Sequence, residues 1–165
     1  KYTSIYNNKQ EITEKEIKFF NFIPVPQKYK LQLPENIYRG MALSEKMIMK
    51  IKSKKSKITF KPLQVNYAGW TFSEKIANDF SQGTYSDDLT KGLIFSTTLT
   101  SENKFIDITL AYLIIDNVRK YVVNLKKPNK QLTQLYDIMF IKSRYSEQEI
   151  LVFGKVKVDK VYNSY

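Results

Sequence analysis

The sequence contains no cysteine and no histidine among its 165 residues, and these two absences exclude several kinds of chemistry. Without histidine there can be no Ser-His-Asp or Cys-His triad and no histidine general acid or base. Without either residue there is no disulfide, no iron–sulfur cluster and no zinc site of the usual kind. Any catalysis must therefore use carboxylates, hydroxyls, lysine, arginine, amides or an oxygen-ligated metal. The lack of cysteine fits an oxidising or a reducing compartment equally well.

Long apolar runs are also missing, since no stretch approaches the roughly 18 residues that span a membrane. The start of the chain carries no signal-like apolar segment. Because Lys1 is not a methionine, we expect a processed chain or an excised domain. The length and the 42% of hydrophobic residues predict a single domain over residues 1–165, with a helical and extended segment at 1–33 and a core at 34–165.

Acidic residues are scarce relative to basic ones, with 16 Asp and Glu against 27 Lys and Arg and a net charge of +11. Such a balance attracts nucleic acid, acidic membrane surfaces, acidic proteins or phosphorylated cofactors. Abundant lysine with only three arginines is equally what an AT-rich genome produces. The densest cationic stretch, Lys46–Lys61, is either a solvated helix face and loop or a patch that binds an acidic partner or nucleic acid.

Hydrophobic spacing predicts an α+β fold. Helices are expected at residues 10–22, from Ser44 to about Lys54 and from Ser73 to about Phe80. Strands are expected at Ile37–Arg39 (closed by Gly40), 65–72, Gly92–Thr98, Phe105–Ile108, about 136–142 and 149–161. Residues 109–123 fit a helix or two strands, and 125–134 form a connector. Few helices after the N-terminal third favour a mixed or antiparallel core of two sheets.

The first candidate for chemistry is the segment Glu147-Gln148-Glu149, which runs directly into the apolar Ile150–Phe153. A bare Glu-x-Glu arises easily by chance, and Glu14–Glu16 is a second copy on a predicted surface helix. In an extended chain, residues two apart project to the same side about 6.5–7 Å from each other. The sequence therefore predicts two carboxylates at the start of a buried strand, or alternatively two exposed glutamates at a strand end.

Two further motifs precede the glutamates. A guanidinium such as that of Arg39 offers a planar fork of donors suited to a diphosphate, and Gly40 lets a ligand approach the backbone. The alternative is an arginine that pairs with a carboxylate at the end of a strand. Thr71 and Ser73 supply hydroxyls where a predicted strand meets a predicted helix, although Ser73 alternatively serves only as the helix cap and Trp70 only as core.

Taken together in this order, the three motifs resemble the mono-ADP-ribosyltransferases, specifically the branch with an Arg, a Ser-Thr-Ser-type strand and a Glu-x-Glu. The matching segments are Pro34–Gly40, Trp70–Phe80 and Tyr145–Val152, and the resemblance covers roughly residues 34–160. It implies an ADP-ribosyltransferase-like two-sheet core with N-terminal helices.

The middle motif departs from the family's pattern. Gly69 or Trp70 stands where a first serine is usual, and Phe72 interrupts the hydroxyls. Ser96 and Thr97 form a more literal match, but they lie late in the chain and lack the Ala and Phe of the following helix. We therefore prefer Thr71 and Ser73 as the middle motif.

The resemblance implies transfer of ADP-ribose from NAD to an arginine side chain of a protein, with release of nicotinamide. Glu149 would stabilise the oxocarbenium-like ribosyl cation, and Glu147 would activate the acceptor guanidinium. Arg39 would bind the diphosphate or the adjacent ribose of NAD. Gly40 would offer backbone groups to the nicotinamide amide. The absence of a Gly-x-Gly-x-x-Gly segment argues against a Rossmann-type NAD site.

The same resemblance assigns supporting roles to five further residues. Thr71 and Ser73 would brace the catalytic carboxylate and the nicotinamide ribose. Phe80 and Tyr85 would pack against nicotinamide, and Tyr145 would face the protein substrate. Members of the family act as bacterial toxins, injected effectors and phage proteins, so we expect secretion or delivery into the cytosol of a target cell.

Three alternatives stay open from the sequence. The first is an NAD glycohydrolase that uses water as the main acceptor. The second is a basic nucleic-acid-binding module that uses Lys46–Lys61 and the 12 tyrosines without catalysis. The third is an enzyme that modifies nucleic acid, which would join the positive charge to the NAD chemistry.

Overall fold

The computed structural model describes residues 13–15, 17–18, 27, 30–54, 57–62, 66–82, 91–108, 110 and 148–165. The strands are β1 (Glu35–Leu43), β2 (Thr59–Phe60), β3 (Tyr67–Thr71), β4 (Lys91–Leu99), β5 (Phe105–Asp107), β6 (Glu149–Phe153), β7 (Val156–Lys157) and β8 (Lys160–Asn163). The helices with described bounds are α1 (Glu45–Lys52) and α2 (Glu74–Ser81). None of the helices in this part of the chain is long and apolar enough to cross a membrane.

Six strands form one sheet in the order β5-β6-β3-β1-β4-β8, and β2 pairs with β7 in a second, smaller sheet. Every described strand pair is antiparallel. The predicted α+β class with an antiparallel core is therefore confirmed. The segments 109–123, 125–134 and 136–142 lie outside the described residues, apart from Leu110.

Both described helices begin where a serine side chain caps them. The Ser44 hydroxyl accepts a hydrogen bond from the Met47 N–H at 3.4 Å, and the Ser73 hydroxyl accepts one from the Ile76 N–H at 3.3 Å. These caps satisfy N–H groups that the first turn of a helix leaves without partners. The predicted starts of both helices are confirmed, and α1 ends slightly earlier than expected, at Lys52.

The bounds of two predicted strands were wrong. Gly40 does not close β1, because it pairs with Ile94 of β4 and the ladder continues to Leu43. The single strand expected at 149–161 is divided into β6, β7 and β8. The first break falls at Gly154, whose φ of 77° lies in the left-handed region that glycine adopts most easily, and the second falls at Val158 and Asp159.

One side of the six-stranded sheet, here called the core face, is apolar. Its buried residues are Ile37, Ala68, Trp70, Leu93, Phe95, Leu99, Ile150 and Val152. The covering layer consists of α1, through Ile48 and Ile51, and of the small sheet, through Phe60 and Val156. Met47 of the same helix is 46% exposed.

The opposite side, here called the helix face, carries α2. A Cβ atom added to Gly40 would lie 1.6 Å from the Ala77 carbonyl oxygen, and one added to Gly92 would lie 2.0 Å from that of Ser81. The two glycines therefore let the backbone of α2 approach β1 and β4 more closely than any side chain would permit.

Near the start of the chain, the predicted N-terminal helix is described only near Ile17, whose N–H donates to the Thr13 carbonyl oxygen.

Candidate active site

The three sequence motifs meet on three neighbouring strands. Glu149 at the start of β6 lies opposite Thr71 at the end of β3, and Thr71 in turn lies opposite Tyr38 on β1. Arg39 is the next residue of β1. Arg39 and Thr71 are more than 30 residues apart in the chain, and Thr71 and Glu149 are more than 70 apart. All three nevertheless lie on neighbouring strands of the sheet.

A continuous row of polar residues crosses the helix face. The cross-strand partners follow one another as Glu149, Thr71, Tyr38, Ser96 and Lys160. Residues directly opposite each other on adjacent strands share a face, and the strands are about 4.8 Å apart. This polar row places the carboxylate, a threonine hydroxyl and a tyrosine side by side.

The carboxylate of Glu149 lies over Gly69. A Cβ atom on Gly69 would be 2.7 Å from Glu149 Oε1, so the missing side chain makes room for the carboxylate. Gly69 is also where the middle motif departs from the family's pattern. Burial raises the pKa of Tyr67, and the negative charge of Glu149 raises that pKa further. The Tyr67 hydroxyl, on the same strand as Gly69, therefore lies within the electrostatic influence of Glu149.

Arg39 belongs to the core face by alternation, but its guanidinium reaches β3. Its Nη1 donates a hydrogen bond to the Gly69 carbonyl oxygen. Its Cζ lies 4.9 Å from the centroid of the Phe60 ring, within the range of a cation–π interaction. Burial lowers the pKa of Arg39, and the nearby charge of Glu149 opposes that shift. Since an arginine keeps its proton in proteins, the group is a buried cation.

The guanidinium of Arg39 bridges β1 and β3 where their backbone pairing stops. Among the described residues these strands pair only at Tyr38 and Thr71, although a continued ladder would set Gly40 opposite Gly69. The Gly69 carbonyl oxygen instead accepts from Arg39. The Nε of Arg39 is buried and has no hydrogen-bond partner. A buried donor left unsatisfied costs about 1–3 kcal/mol, more for a charged group.

The two hydroxyls of the preferred middle motif have local backbone partners. The buried Thr71 accepts a hydrogen bond at its Oγ1 from the Ser73 N–H at 3.1 Å. Ser73 caps α2, so the expectation that it serves as a helix cap is confirmed. Thr71 is the hydroxyl residue that lies directly opposite Glu149.

The alternative middle motif lies farther from Glu149. Ser96 on β4 is three strands from β6, a separation of about 14 Å at the usual strand spacing. Thr97 faces the opposite side of the sheet and donates a hydrogen bond to the Lys157 carbonyl oxygen at 2.7 Å. The geometry thus brings Thr71, and not Ser96 or Thr97, next to the carboxylate.

The backbone before Glu149 is not extended, which corrects one step of the sequence argument. Gln148 has a φ of 47°, in the left-handed region that a non-glycine residue seldom adopts. Its carbonyl oxygen accepts a hydrogen bond from the Phe72 N–H at 3.2 Å, which ties this turn to the end of β3. The same-side rule for extended chains therefore does not apply across Gln148. Glu147 itself lies outside the described residues.

The remaining predicted site residues are distributed as follows. Gly40 lies under α2, and Phe80 is 45% exposed on that helix. Trp70 is buried, as the core interpretation expected. Tyr85 and Tyr145 lie outside the described residues.

Sequence reasoning missed three neighbours of the candidate site. Alternation along β1 could have shown that Tyr38 shares a face with Gly40, but not that Tyr38 lies beside Thr71. The contact of Phe60 with Arg39 has no signal in the sequence, because β2 pairs with β7 and not with β1. Gly69 was noted only as a departure from the family's pattern.

Comparisons of the chain with protein-family models, with curated proteins and with solved structures found no match. Within the described ranges, no group of three or more acidic residues could hold a metal ion. The function of this protein is therefore inferred from the geometry of Arg39, Gly69, Thr71 and Glu149.

Proposed function

We propose that this protein is an NAD-dependent mono-ADP-ribosyltransferase that modifies arginine side chains of a target protein and releases nicotinamide. One observation supports this proposal above the others. The arginine, hydroxyl and glutamate motifs, which the sequence separates widely, lie on the adjacent strands β1, β3 and β6. Chance motifs have no reason to converge in this way.

Glu149 is the catalytic carboxylate of this proposal. Cleavage of the bond between nicotinamide and ribose develops positive charge on the ribosyl group, as glycoside cleavage does. A fixed carboxylate stabilises that charge more strongly in a partly buried site than in water. Glu149 is half-buried over Gly69, and the only residue of β3 directly opposite it is Thr71.

Arg39 is the proposed anion-binding group. A diphosphate is matched by the planar fork of a guanidinium better than by an ammonium. The buried Nε of Arg39 lacks a partner, and a phosphate oxygen is the kind of acceptor that would satisfy it. The Arg39 interaction with Gly69 also joins the anion-binding group to the strand that lies under Glu149.

The acceptor side of the site is assigned to Glu147 and Tyr145 by the family resemblance. Glu147 acts on the acceptor guanidinium and Tyr145 faces the protein substrate. Phe80, exposed on α2, is available to pack against nicotinamide. Hydrolysis of NAD by water remains a side reaction of the same ribosyl cation.

The test is incubation of the purified protein with labelled NAD and cell lysates, followed by identification of the labelled macromolecules and of the modified side chain. We expect protein labelled on arginine, together with free nicotinamide. In Glu147→Gln, arginine labelling should be suppressed while appreciable NAD cleavage remains, because water needs less guidance than a guanidinium. NAD that stays intact across many lysates would contradict the proposal, and cleavage without labelled protein would favour a glycohydrolase.

A further inference from the structure

The layer that covers the core face has a strongly cationic outer surface. Six lysines of α1 and of the chain leading through β2 are exposed, and we call them the lysine surface. They are Lys46, Lys50, Lys52, Lys54, Lys57 and Lys61. Only one acidic residue, Glu45, belongs to the same stretch of described chain, 44–62. Mutual repulsion among these lysines is partly screened by water and salt, and an anionic partner would relieve it further.

Two apolar side chains stand among these lysines. Met49 is 71% exposed and Met47 is 46% exposed, whereas Ile48 and Ile51 of the same helix pack on the core. Only two other large apolar side chains of the described residues are exposed, Phe80 and Tyr165. The lysine surface therefore offers a partner both positive charge and a thioether side chain.

The lysine surface lies on the opposite side of the sheet from Glu149 and α2, whereas Arg39 of the candidate site lies on the core face, beneath the covering layer. α1 and the small sheet cover the core face, while Glu149 and α2 lie on the helix face. A partner bound to the lysines is thus separated from Glu149 by the thickness of the sheet. Occupation of the outer surface of this layer leaves Glu149 free, so the partner need not be the molecule that is modified.

We propose that the lysine surface docks this protein on an anionic lipid bilayer. The headgroup region accepts lysine ammonium groups at anionic phosphates and takes up exposed apolar side chains at the same depth. Met49 then leaves water as the lysines meet the charged lipids. A nucleic acid would satisfy the lysines but would leave Met49 in water, and α1 carries neither the arginine nor the aromatic side chains that nucleic-acid contacts favour.

The test is co-sedimentation of the full chain with vesicles of phosphatidylserine in phosphatidylcholine, and with vesicles of phosphatidylcholine alone. We expect binding to the anionic vesicles only, with release at high salt. The triple variant Lys46→Gln, Lys50→Gln, Lys54→Gln should bind at least about tenfold more weakly. Its matched control removes the same charge elsewhere, at the exposed Lys18, Lys30 and Lys75, and should lose far less.

A second pair of variants separates lipid docking from simple attraction to polyanions. Met49→Ser should weaken vesicle binding about threefold, and Met49→Leu should retain it, because only the serine removes apolar surface. Neither change should alter binding to duplex DNA. NAD cleavage should be the same in all these variants.

Three outcomes would overturn the docking proposal. The first is no binding to anionic vesicles at low salt. The second is equal weakening by the two triple variants, which would show a response to net charge alone. The third is binding to DNA or to an acidic protein with no binding to vesicles, which would assign the lysine surface to that partner instead.

Discussion

The two faces of the six-stranded sheet are made by alternate residues of the same strands, yet different demands determine their composition. The core face is mainly apolar, with Ile37, Trp70 and Ile150 buried under α1 and the small sheet, and Arg39 is its one buried cation among the described residues. The helix face carries glycines where α2 approaches, the polar row from Glu149 to Lys160, and the buried Ile94 and Leu151 beside them. Burial of apolar area explains the first face, whereas the second combines apolar burial with close backbone approach and a row of polar residues.

Arg39 links the two faces. Its place in β1 assigns it to the core face, where it lies over Phe60, but its guanidinium bonds to the carbonyl of Gly69 under Glu149. Because of this difference between the faces, we expect two kinds of substitution on the helix face: those that prevent folding and those that remove only activity. The following variants test that division.

The largest effect is expected from Gly40→Ala. A Cβ atom 1.6 Å from the Ala77 carbonyl oxygen forces α2 away from β1, so we expect a loss of about 4 kcal/mol or more in unfolding free energy. Urea denaturation measures it. The matched control is Gly154→Ala, which has φ 77° but nothing within 4 Å, and should lose only about 1 kcal/mol. Similar losses in the two variants would show that α2 does not depend on the glycine contact.

Gly69→Ala should remove activity and leave the fold intact. Its Cβ would meet a flexible carboxylate oxygen at 2.7 Å and not a backbone atom, so the Glu149 side chain moves aside. A displacement of about 1 Å at a reacting group can cost about 100-fold in rate, and we expect that loss in NAD cleavage. Nicotinamide release and the urea midpoint are measured together. Unchanged cleavage in the folded variant would mean that the position of Glu149 is unimportant.

Arg39→Lys should weaken the use of NAD by about 10- to 150-fold, because an ammonium cannot replace the bidentate fork and its charge-assisted hydrogen bonds. The readout is kcat/KM for NAD, with circular dichroism to check the fold. Comparison with Gly69→Ala distinguishes the two roles. We expect Arg39→Lys to change mainly KM, whereas Gly69→Ala, which displaces Glu149, should change mainly kcat. A folded lysine variant with wild-type NAD affinity would exclude Arg39 from the site.

The smallest effect is expected from Tyr162→Phe, at the far edge of the helix face. The Tyr162 hydroxyl donates to Glu74 Oε1 at 2.6 Å, a bond worth about 1 kcal/mol at neutral pH. Burial, and next the bond to Glu74, raise the pKa of Tyr162 above the value near 10 of an unfolded tyrosine. The bond therefore stabilises the fold fully below pH 10 and loses its effect as the pH rises toward the folded pKa.

Urea unfolding of wild type and Tyr162→Phe across alkaline pH measures this contribution. The difference between them should be constant up to about pH 10 and then shrink. A difference that grows above pH 10 would have the wrong sign for a tyrosine whose pKa is raised by folding.

Local features of the fold were predictable from the sequence because their causes are local. Ser44 and Ser73 cap helices through side chains that reach three residues along the chain, so the pattern of residues is sufficient. Strands with clear apolar content, such as β4 and β6, were found within a residue or two at their starts. The division of 149–161 was missed because a positive φ at Gly154 leaves no periodic signal.

The candidate site was predictable only as a set of residue types. Which strand lies beside which depends on register, and no local pattern shows that Thr71 lies opposite Glu149. The turn at Gln148 was missed because glutamine rarely adopts a positive φ. The importance of Gly69 was missed for a similar reason. The sequence does not show that Glu149 lies over this position and occupies the space that a side chain would fill.

The most direct test of the central claim is nicotinamide release from NAD by wild type and by Glu149→Gln. The amide removes the negative charge with almost no change in shape, so a folded variant isolates the charge itself. We expect the wild type to release nicotinamide and the variant to lose both this activity and arginine labelling, by at least about 100-fold. Full retention of both activities in a folded Glu149→Gln protein would contradict the assignment of this carboxylate.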